Sequence, residues 1–205
     1  MNLSGIGVNN CNCISSILDY SHEIPYVYGF STESIMIDFN KVKSLISEAD
    51  RILLTTHDNP DGDGLGCCAA MYFYLREIGK DCRIIICSKM PSEYSFLNSE
   101  QIFEVHELEQ HQDWIKNVNL VVIFDVGNIK RLKTICSEIN SHSLPTLNID
   151  HHPHDDDDLF TYNLVDVNAA ATGEILYNYL KLAKDEQLPK EVCEGIYTAI
   201  MTDTG

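Results

Sequence analysis

Basic residues are scarce in this chain of 205 amino acids. It holds 14 lysines and arginines against 31 aspartates and glutamates, which gives a formal net charge of −17. Proteins bind long duplex nucleic acid mainly through Lys and Arg side chains that displace counterions from the phosphates. The charge therefore disfavours long duplex nucleic acid as a partner, and we expect any phosphate-bearing partner to be small or to be held locally by metal ions.

Cysteine pairs and long apolar segments are also missing. The eight cysteines stand singly or side by side, with no Cys-x-x-Cys pair and no secretory segment before them, so we interpret them as reduced thiols. No stretch approaches the roughly 18 apolar residues that a membrane span requires. From these absences we predict a cytoplasmic protein that does not insert into a membrane.

The chain shows neither internal repeats nor a low-complexity linker, and its length suits one domain with an appendage. Residues 1–37 have no sustained hydrophobic period, so we predict an N-terminal appendage there, whose order the sequence leaves open. Residues 38–205 are predicted to form the functional domain. Within that domain, the acidic run Asp155–Asp158 is interpreted as a solvated loop.

From Asp38 onward, strand-type and helix-type segments alternate. This alternation predicts an α/β fold with a mostly parallel sheet flanked by helices, in which ligands gather at the carboxyl ends of the strands. The predicted strands are Arg51–Thr56, Cys82–Cys87, Leu120–Phe124 and Thr146–Ile149. The predicted helices are residues 38–50, Leu65–Ile78, Ile129–Ile139, Thr172–Lys184 and Pro189–Met201.

Acids and histidines follow three of the predicted strands, and a further acid follows the last predicted helix. Carboxylates mixed with imidazoles, without thiolates, suit manganese or magnesium better than structural zinc. So many acids favour two divalent cations that share a carboxylate, an arrangement that activates a bridging water and stabilises charge on a phosphoryl oxygen. The residues are His57, Asp61, Asp63, Asp125, Asp150, His151, His152 and Asp203.

These residues stand in four motifs that resemble those of the DHH phosphoesterase superfamily, which includes the RecJ-like proteins. The sequence HDNPDGDGLG at residues 57–66 resembles the first motif, and Asp125 in its apolar strand resembles the second. Residues 150–153, Asp-His-His-Pro, resemble the motif that names the family, and residues 202–205, Thr-Asp-Thr-Gly, resemble the fourth. All four occur in the family's order, so residues 38–205 are predicted to be a DHH domain.

The resemblance implies a role for each of these residues. Two manganese ions are expected, with magnesium or cobalt as alternatives. His152 would face the substrate phosphate as a charge stabiliser or acid, and Asp150 would orient the histidine pair. The attacking water would lie between the metals. One ion would be held by His57, Asp61 and Asp125. The other would be held by Asp63, Asp125, His151 and Asp203, so that Asp125 bridges the two.

Two segments, residues 125–131 and 170–175, are similar to those of the nanoRNase and 3′-phosphoadenosine 5′-phosphate phosphatase branch of the family. This similarity implies manganese-dependent hydrolysis of short oligoribonucleotides or of a nucleotide 3′-phosphate. Arg131 is either a surface residue or a contact to a substrate phosphate. An inorganic pyrophosphatase is an alternative, although family II pyrophosphatases show Asp-His-Asn where this chain has Asp125-Val-Gly-Asn. Another alternative function is that of a metal-binding regulatory module, or the chain is an inactive fragment that lacks the substrate-binding domain.

The sequence departs from the family pattern in two places. Cys67 stands where the family has serine after the first motif, which would remove a hydroxyl contact. The chain stops at Gly205, where the family continues into a second, substrate-gripping domain, and no trace of that domain is present. We therefore expect either a fragment of a two-domain protein or a minimal form, with weak activity for the chain alone. The oligomeric state, a homodimer included, stays open.

The remaining histidines belong to no motif, and we interpret His22, His106, His111 and His142 as structural. His154 and the acidic run that follows it could form an extra metal site, but such charge runs are usually solvated, so His154 is left out of the ligand set.

Overall fold

The computed structural model describes residues 38–154, 160–184 and 187–205. The predictions for residues 1–37 and for Asp155–Asp158, as well as His22, lie outside these described residues. The strands are β1 (Arg51–Thr56), β2 (Asp81–Ile86), β3 (Phe103–Val105), β4 (Leu120–Phe124), β5 (Thr146–Asp150) and β6 (Tyr162–Val165). The α-helices are α1 (Phe39–Glu48), α2 (Gly62–Glu77), α3 (Leu108–Ile115), α4 (Thr134–His142), α5 (Thr172–Ala183) and α6 (Lys190–Thr204).

The six strands form one sheet in the order β3-β2-β1-β4-β5-β6, and every pairing is parallel. The predicted α/β fold with a parallel sheet is therefore confirmed. The chain builds outward from β1 to one edge and then returns to place β4 on the other side of β1. Such a reversal opens a crevice at the carboxyl ends of the two central strands, where α/β proteins bind ligands.

Helices cover both faces of the sheet, which explains why the central strands are continuous apolar runs. Ile52 and Leu54 of β1 pack on the face that carries α1, α2, α5 and α6. Leu53 points the other way and packs with residues of α3 and α4. All three side chains are fully buried. No helix among the described residues has both the length and the apolar character needed to cross a membrane.

Several predicted boundaries need correction. The helix predicted at Ile129–Ile139 is two elements, a 3-10 helix at Ile129–Leu132 and α4, because Lys133 adopts a left-handed φ of 50° between them. Helix α2 begins at Gly62 rather than Leu65, and α6 extends to Thr204 rather than ending at Met201. Strand β2 starts and ends one residue earlier than predicted, and β3, β6 and α3 were not predicted.

Helices α2 and α6 approach each other closely at two glycines. A Cβ atom at Gly195 would lie 2.5 Å from the carbonyl oxygen of Gly66 and 2.8 Å from the amide nitrogen of Ala70. A Cβ atom at Gly66 would lie 2.4 Å from the carbonyl oxygen of Gly195. Because the obstructing atoms belong to the backbone, they cannot move aside without separating the helices.

We predict that Gly195→Ala destabilises the protein by about 1–3 kcal/mol, because the cost of overpacking exceeds the gain in helix propensity. The midpoint of urea unfolding, followed by fluorescence of the chain's only tryptophan, Trp114, measures the change. Glu194→Ala, at the exposed neighbouring position, is the control and should shift the midpoint little. A Gly195→Ala variant as stable as the parent would show that the two helices are not in such close contact.

Candidate metal centre

The first predicted motif connects β1 to α2 and bends tightly. Asp61 caps α2, and its Oδ1 accepts hydrogen bonds from the amides of Asp63 (3.1 Å) and Gly64 (3.3 Å). The other oxygen, Oδ2, lies 3.6 Å from His57 Nε2. His57 Nδ1 lies 2.9 Å from the Asp58 carbonyl oxygen, and donation to that carbonyl orients the ring so that Nε2 faces the acids.

Asp125 follows β4 and holds an uncommon backbone conformation, with φ of 61°. Residues other than glycine rarely adopt this left-handed region, which Asp and Asn tolerate best. Asp125 Oδ2 lies 3.4 Å from His57 Nε2, whereas Oδ1 lies 3.7 Å from His151 Nε2. The two oxygens of this one buried carboxylate therefore face two different groups of side chains.

Two groups of ligand-type side chains match the predicted ligand sets, the first completely and the second without Asp125. In the first, the ligand atoms of His57, Asp61 and Asp125 lie within 4.8 Å of one another. In the second, the same holds for Asp63, His151 and Asp203. All six predicted metal ligands thus lie close together at the carboxyl end of the sheet. Asp203 was predicted to follow the last helix, but it lies in the last turn of α6. Their role as ligands stays a prediction.

His151 Nε2 tests whether this arrangement suits a cation. The atom is buried and has no hydrogen-bond partner among the described residues, yet it lies 3.1 Å from Asp203 Oδ2 and 3.8 Å from Asp63 Oδ2. A buried polar atom without a hydrogen bond costs about 1–3 kcal/mol. A divalent cation between the imidazole and the carboxylates would remove this cost, so the side chains fit a metal ion.

Asp63 is fully buried and is fixed by the start of α5. Its Oδ2 accepts from the amide of Thr172 (2.7 Å) and its Oδ1 from the amide of Gly173 (2.9 Å). The Cys67 thiol lies 3.6 Å from Asp63 Oδ1, so the cysteine at the family's serine position still reaches this carboxylate as a weak donor. These amide contacts could not be predicted from local patterns, since Thr172 and Gly173 lie more than 100 residues away from Asp63 in the chain.

The comparisons with known proteins agree with these motifs. The sequence profile described as "DHH family, N-terminal domain" matches residues 51–200. The chain belongs to the DHH family. It is 27% identical over 175 residues to an uncharacterised protein of Mycoplasma genitalium, covering 83% of this chain and 51% of that protein. It is 28% identical over 165 residues to the "bifunctional oligoribonuclease and PAP phosphatase NrnA" of Mycoplasma pneumoniae, covering 78% and 48%.

Among solved structures, an exopolyphosphatase-related protein from Bacteroides fragilis superposes on the DHH chain with a TM-score of 0.72. The two are 22% identical, and the alignment covers 82% of this chain and 50% of that one. This similarity shows a shared fold. The chain spans about half the length of the curated relatives described above.

In this DHH chain, Asp150 is the hydrogen-bond centre of the name-giving motif. Its Oδ1 accepts from the amides of His151 (2.8 Å) and His152 (3.1 Å) and from His152 Nδ1 (2.9 Å). Its Oδ2 lies 2.8 Å from His154 Nε2. His154 was left out of the predicted site. The one feature of the sequence that indicated a contact with Asp150 is that His154 follows it by four residues. These contacts fit the predicted role of Asp150, which is to orient His151 and His152. That role stays a prediction.

Arg131 lies at the edge of this centre. Its side chain is exposed on the 3-10 helix at Ile129–Leu132, and its carbonyl oxygen accepts from the amide of Asp58 at 2.9 Å. Its positive charge acts to lower the pKa of His57. A contact between Arg131 and a substrate phosphate stays a prediction.

The charges of the centre are strongly coupled. Burial and the charge of Asp125 raise the pKa of Asp63 to about 8. Burial alone would lower the pKa of His57, but hydrogen bonds with Asp125 and Asp61 outweigh it and raise this pKa to about 10. Burial would raise the pKa of Asp125, yet hydrogen bonds from His152 and His57 hold it well below its usual range. Without metal, the DHH centre therefore retains protons at neutral pH.

We predict that the metal-free protein loses stability as the pH rises from about 6.5 to about 8. The pKa of His57 rises from 6.5 to about 10 on folding, so its stabilisation is complete below pH 6.5 and is lost towards pH 10. The pKa of Asp63 rises from 3.8 to about 8, so the unfolded chain releases this proton first and stability falls between these values.

Melting temperatures in a chelator at these two pH values measure the effect. The melting temperature should be lower at the higher pH, and saturating manganese should reduce the difference because cations then replace the protons. An equal or higher melting temperature at the higher pH, in the chelator, would contradict the charge coupling.

Proposed function

We propose that this chain carries the active centre of a phosphoesterase that binds two manganese ions and hydrolyses short oligoribonucleotides or a nucleotide 3′-phosphate. The observation that carries the proposal is the position of Asp125, whose two oxygens face two separate groups of ligand-type side chains. Membership of the DHH family supports hydrolysis of phosphate esters, and so does the similarity to the Mycoplasma pneumoniae protein, which is named an oligoribonuclease and PAP phosphatase.

The ligand set fits a pair of manganese ions. His57, Asp61 and Asp125 would hold one ion, and Asp63, Asp125, His151 and Asp203 the other. Bound there, two divalent cations supply an activated water and stabilise negative charge on a phosphoryl oxygen. The carboxylate-rich composition favours manganese or magnesium over zinc.

His152 is placed to act on the substrate. Its Nδ1 lies 2.9 Å from Asp150 Oδ1 and 3.3 Å from Asp125 Oδ1, while 45% of the side chain is exposed. The hydrogen bond to Asp125, opposed by burial and aided by Asp150, raises the pKa of His152 to about 9. In the metal-free centre the ring is therefore protonated at neutral pH, and its exposed part is open to a phosphate that enters the crevice, where it would act as a charge stabiliser or proton donor.

A small substrate agrees with the charge of the chain. With a formal net charge of −17, most of the surface repels a long polyanion, so binding depends on the local positive charge of metals, His152 and Arg131. Short oligonucleotides and mononucleotides place few phosphates outside this region.

A panel of substrates tests the proposal. The chain is incubated with manganese and a diribonucleotide, a pentaribonucleotide, 3′-phosphoadenosine 5′-phosphate, pyrophosphate or a long RNA duplex. We expect product from the short oligonucleotides or from the nucleotide 3′-phosphate, none from the duplex, and none when a chelator replaces manganese. Cleavage of pyrophosphate alone would overturn the proposed substrate class. Manganese binding without any cleavage would contradict catalysis by this chain and would favour a metal-binding module.

A further inference from the structure

His154 lies directly behind the name-giving motif and contacts its aspartate. The Nε2 atom of His154 is 2.8 Å from Oδ2 of Asp150. The Asp150 side chain is fully buried, and that of His154 is 11% exposed. The contact therefore joins two buried polar groups and is largely shielded from competing water, which strengthens it.

The distance and the partner decide the direction of this hydrogen bond. A carboxylate accepts hydrogen bonds and does not donate them, so at 2.8 Å the Nε2 atom carries the proton and donates it to Asp150. The side-chain amide nitrogen of Asn148 lies 3.4 Å from the same Nε2, but it donates to the carbonyl oxygen of Val126 at 3.1 Å. Because Nε2 and the amide are both donors, we assign their longer contact to packing.

The two oxygens of Asp150 have different partners. Oδ1 accepts from the amides of His151 and His152 and from His152 Nδ1, at 2.8–3.1 Å. In the part of the chain that the structure describes, the donor to Oδ2 is His154. A buried carboxylate oxygen without a donor is costly, and the Cβ–Cγ torsion of aspartate turns easily, so without His154 the carboxylate should turn towards another donor. His154 therefore fixes the rotation of Asp150.

The two histidine rings of the motif depend on Asp150 to different degrees. His152 Nδ1 lies 2.9 Å from Asp150 Oδ1, so the carboxylate orients this ring directly. His151 Nδ1 lies 3.3 Å from the carbonyl oxygen of Ala169, and it is the backbone amide of His151 that donates to Asp150. A turn of the Asp150 carboxylate should therefore displace the ring of His152 more than that of His151.

We propose that His154 is a positioning residue, which holds Asp150 in the rotation that directs His152 at the substrate phosphate. The proposal rests on the proposed function, in which His152 acts on the substrate and His151 binds manganese. His154 acts through Asp150 and binds neither metal nor substrate itself. Loss of its hydrogen bond should therefore lower turnover and leave manganese affinity nearly unchanged.

A packing role is the alternative for His154, and two substitutions separate it from a positioning role. The ring of His154 contacts that of Phe160, with centroids 6.0 Å apart at an angle of 52°. His154→Phe keeps an aromatic ring for this contact but has no hydrogen-bond donor. His154→Gln loses the ring but can place a side-chain N–H near the position of Nε2. A packing role predicts that the phenylalanine variant is the more active one, and a positioning role predicts the reverse.

Hydrolysis by these variants of the full chain tests the proposal. His154→Phe should lower kcat about tenfold or more and change manganese affinity by less than about threefold, whereas His154→Gln should keep at least about half of the parent kcat. In a His152→Ala background, His154→Phe should lower kcat no further, because its effect passes through that ring. An unchanged kcat for His154→Phe, or an additive loss in the His152→Ala background, would overturn the proposal. If His154→Phe does not fold, by circular dichroism, the smaller His154→Leu replaces it.

A second measurement does not require hydrolysis, so it separates failure of this proposal from failure of the proposed function. In the metal-free protein, NMR follows hydrogen exchange of the His151 and His152 amides, which donate to Asp150 Oδ1. Both should exchange at least about tenfold faster in His154→Phe than in His154→Gln or the parent. Equal exchange in all three proteins would show that His154 does not hold Asp150. Faster exchange in a chain whose parent cleaves no substrate would support the hold on Asp150 and contradict the proposed function.

Discussion

Asp125→Asn should lower manganese-dependent hydrolysis by about 10³-fold or more, equivalent to roughly 4 kcal/mol of transition-state stabilisation. The two oxygens of Asp125 face His57 on one side and His151 on the other. An amide has one oxygen and no charge, so it cannot serve both groups or offset the repulsion between two cations. The initial rate of product release at saturating manganese measures the loss.

The substitution should leave the fold intact, because Asn tolerates the left-handed conformation of residue 125, with its φ of 61°, about as well as Asp. An unchanged circular dichroism spectrum checks this. Asp113→Asn is the matched control, since the Asp113 side chain is exposed and its ion pair in the described part of the chain is with Lys116. A loss of less than tenfold for Asp125→Asn would exclude a bridging role.

His152→Ala should lower kcat by about 10²–10³-fold, within the range for removal of an acid or base, while manganese affinity changes by less than about threefold. The reason is that the exposed part of the ring is available to substrate, whereas Nδ1 is engaged with Asp150 and Asp125. Steady-state kinetics and a manganese titration measure the two quantities separately.

The neighbouring substitution His151→Ala is the comparison for His152→Ala. It removes the buried nitrogen that faces Asp63 and Asp203, so it should reduce both manganese affinity and turnover. The ligand atoms of Asp125, His151 and His152 also lie within 4.8 Å of one another. Equal losses of manganese affinity in the two variants would therefore make His152 a ligand instead of a substrate contact.

The parts of the fold that could be predicted are those with strong local signals. Strands β1 and β4 are buried on both faces, so each has an apolar run, and a residue of the centre follows each strand directly, His57 after β1 and Asp125 after β4. The alternation of strands and helices predicted a mostly parallel sheet, and all pairings in the sheet are parallel. The six predicted ligands lie at strand ends or helix ends, which is why the order of the motifs was sufficient to predict that these side chains lie close together; their role as ligands stays a prediction.

The parts that could not be predicted depend on tertiary contacts. Strand β3 has three partly exposed or exposed residues, so it lacks the apolar run of a central strand. The bend at Lys133 leaves no trace in the hydrophobic pattern, which continues from the 3-10 helix into α4. The contact of His154 with Asp150 involves side chains whose residue types alone carry no spatial information.

Anomalous diffraction at the manganese absorption edge, from crystals grown with manganese chloride, shows directly how many ions the centre binds and where they lie. We expect two peaks about 3.5–4 Å apart, the usual spacing in two-metal hydrolases, with Asp125 bound to both. One peak should contact His57 and Asp61, and the other Asp63, His151 and Asp203. A single peak, or two peaks that do not share Asp125, would contradict a two-metal centre in this chain.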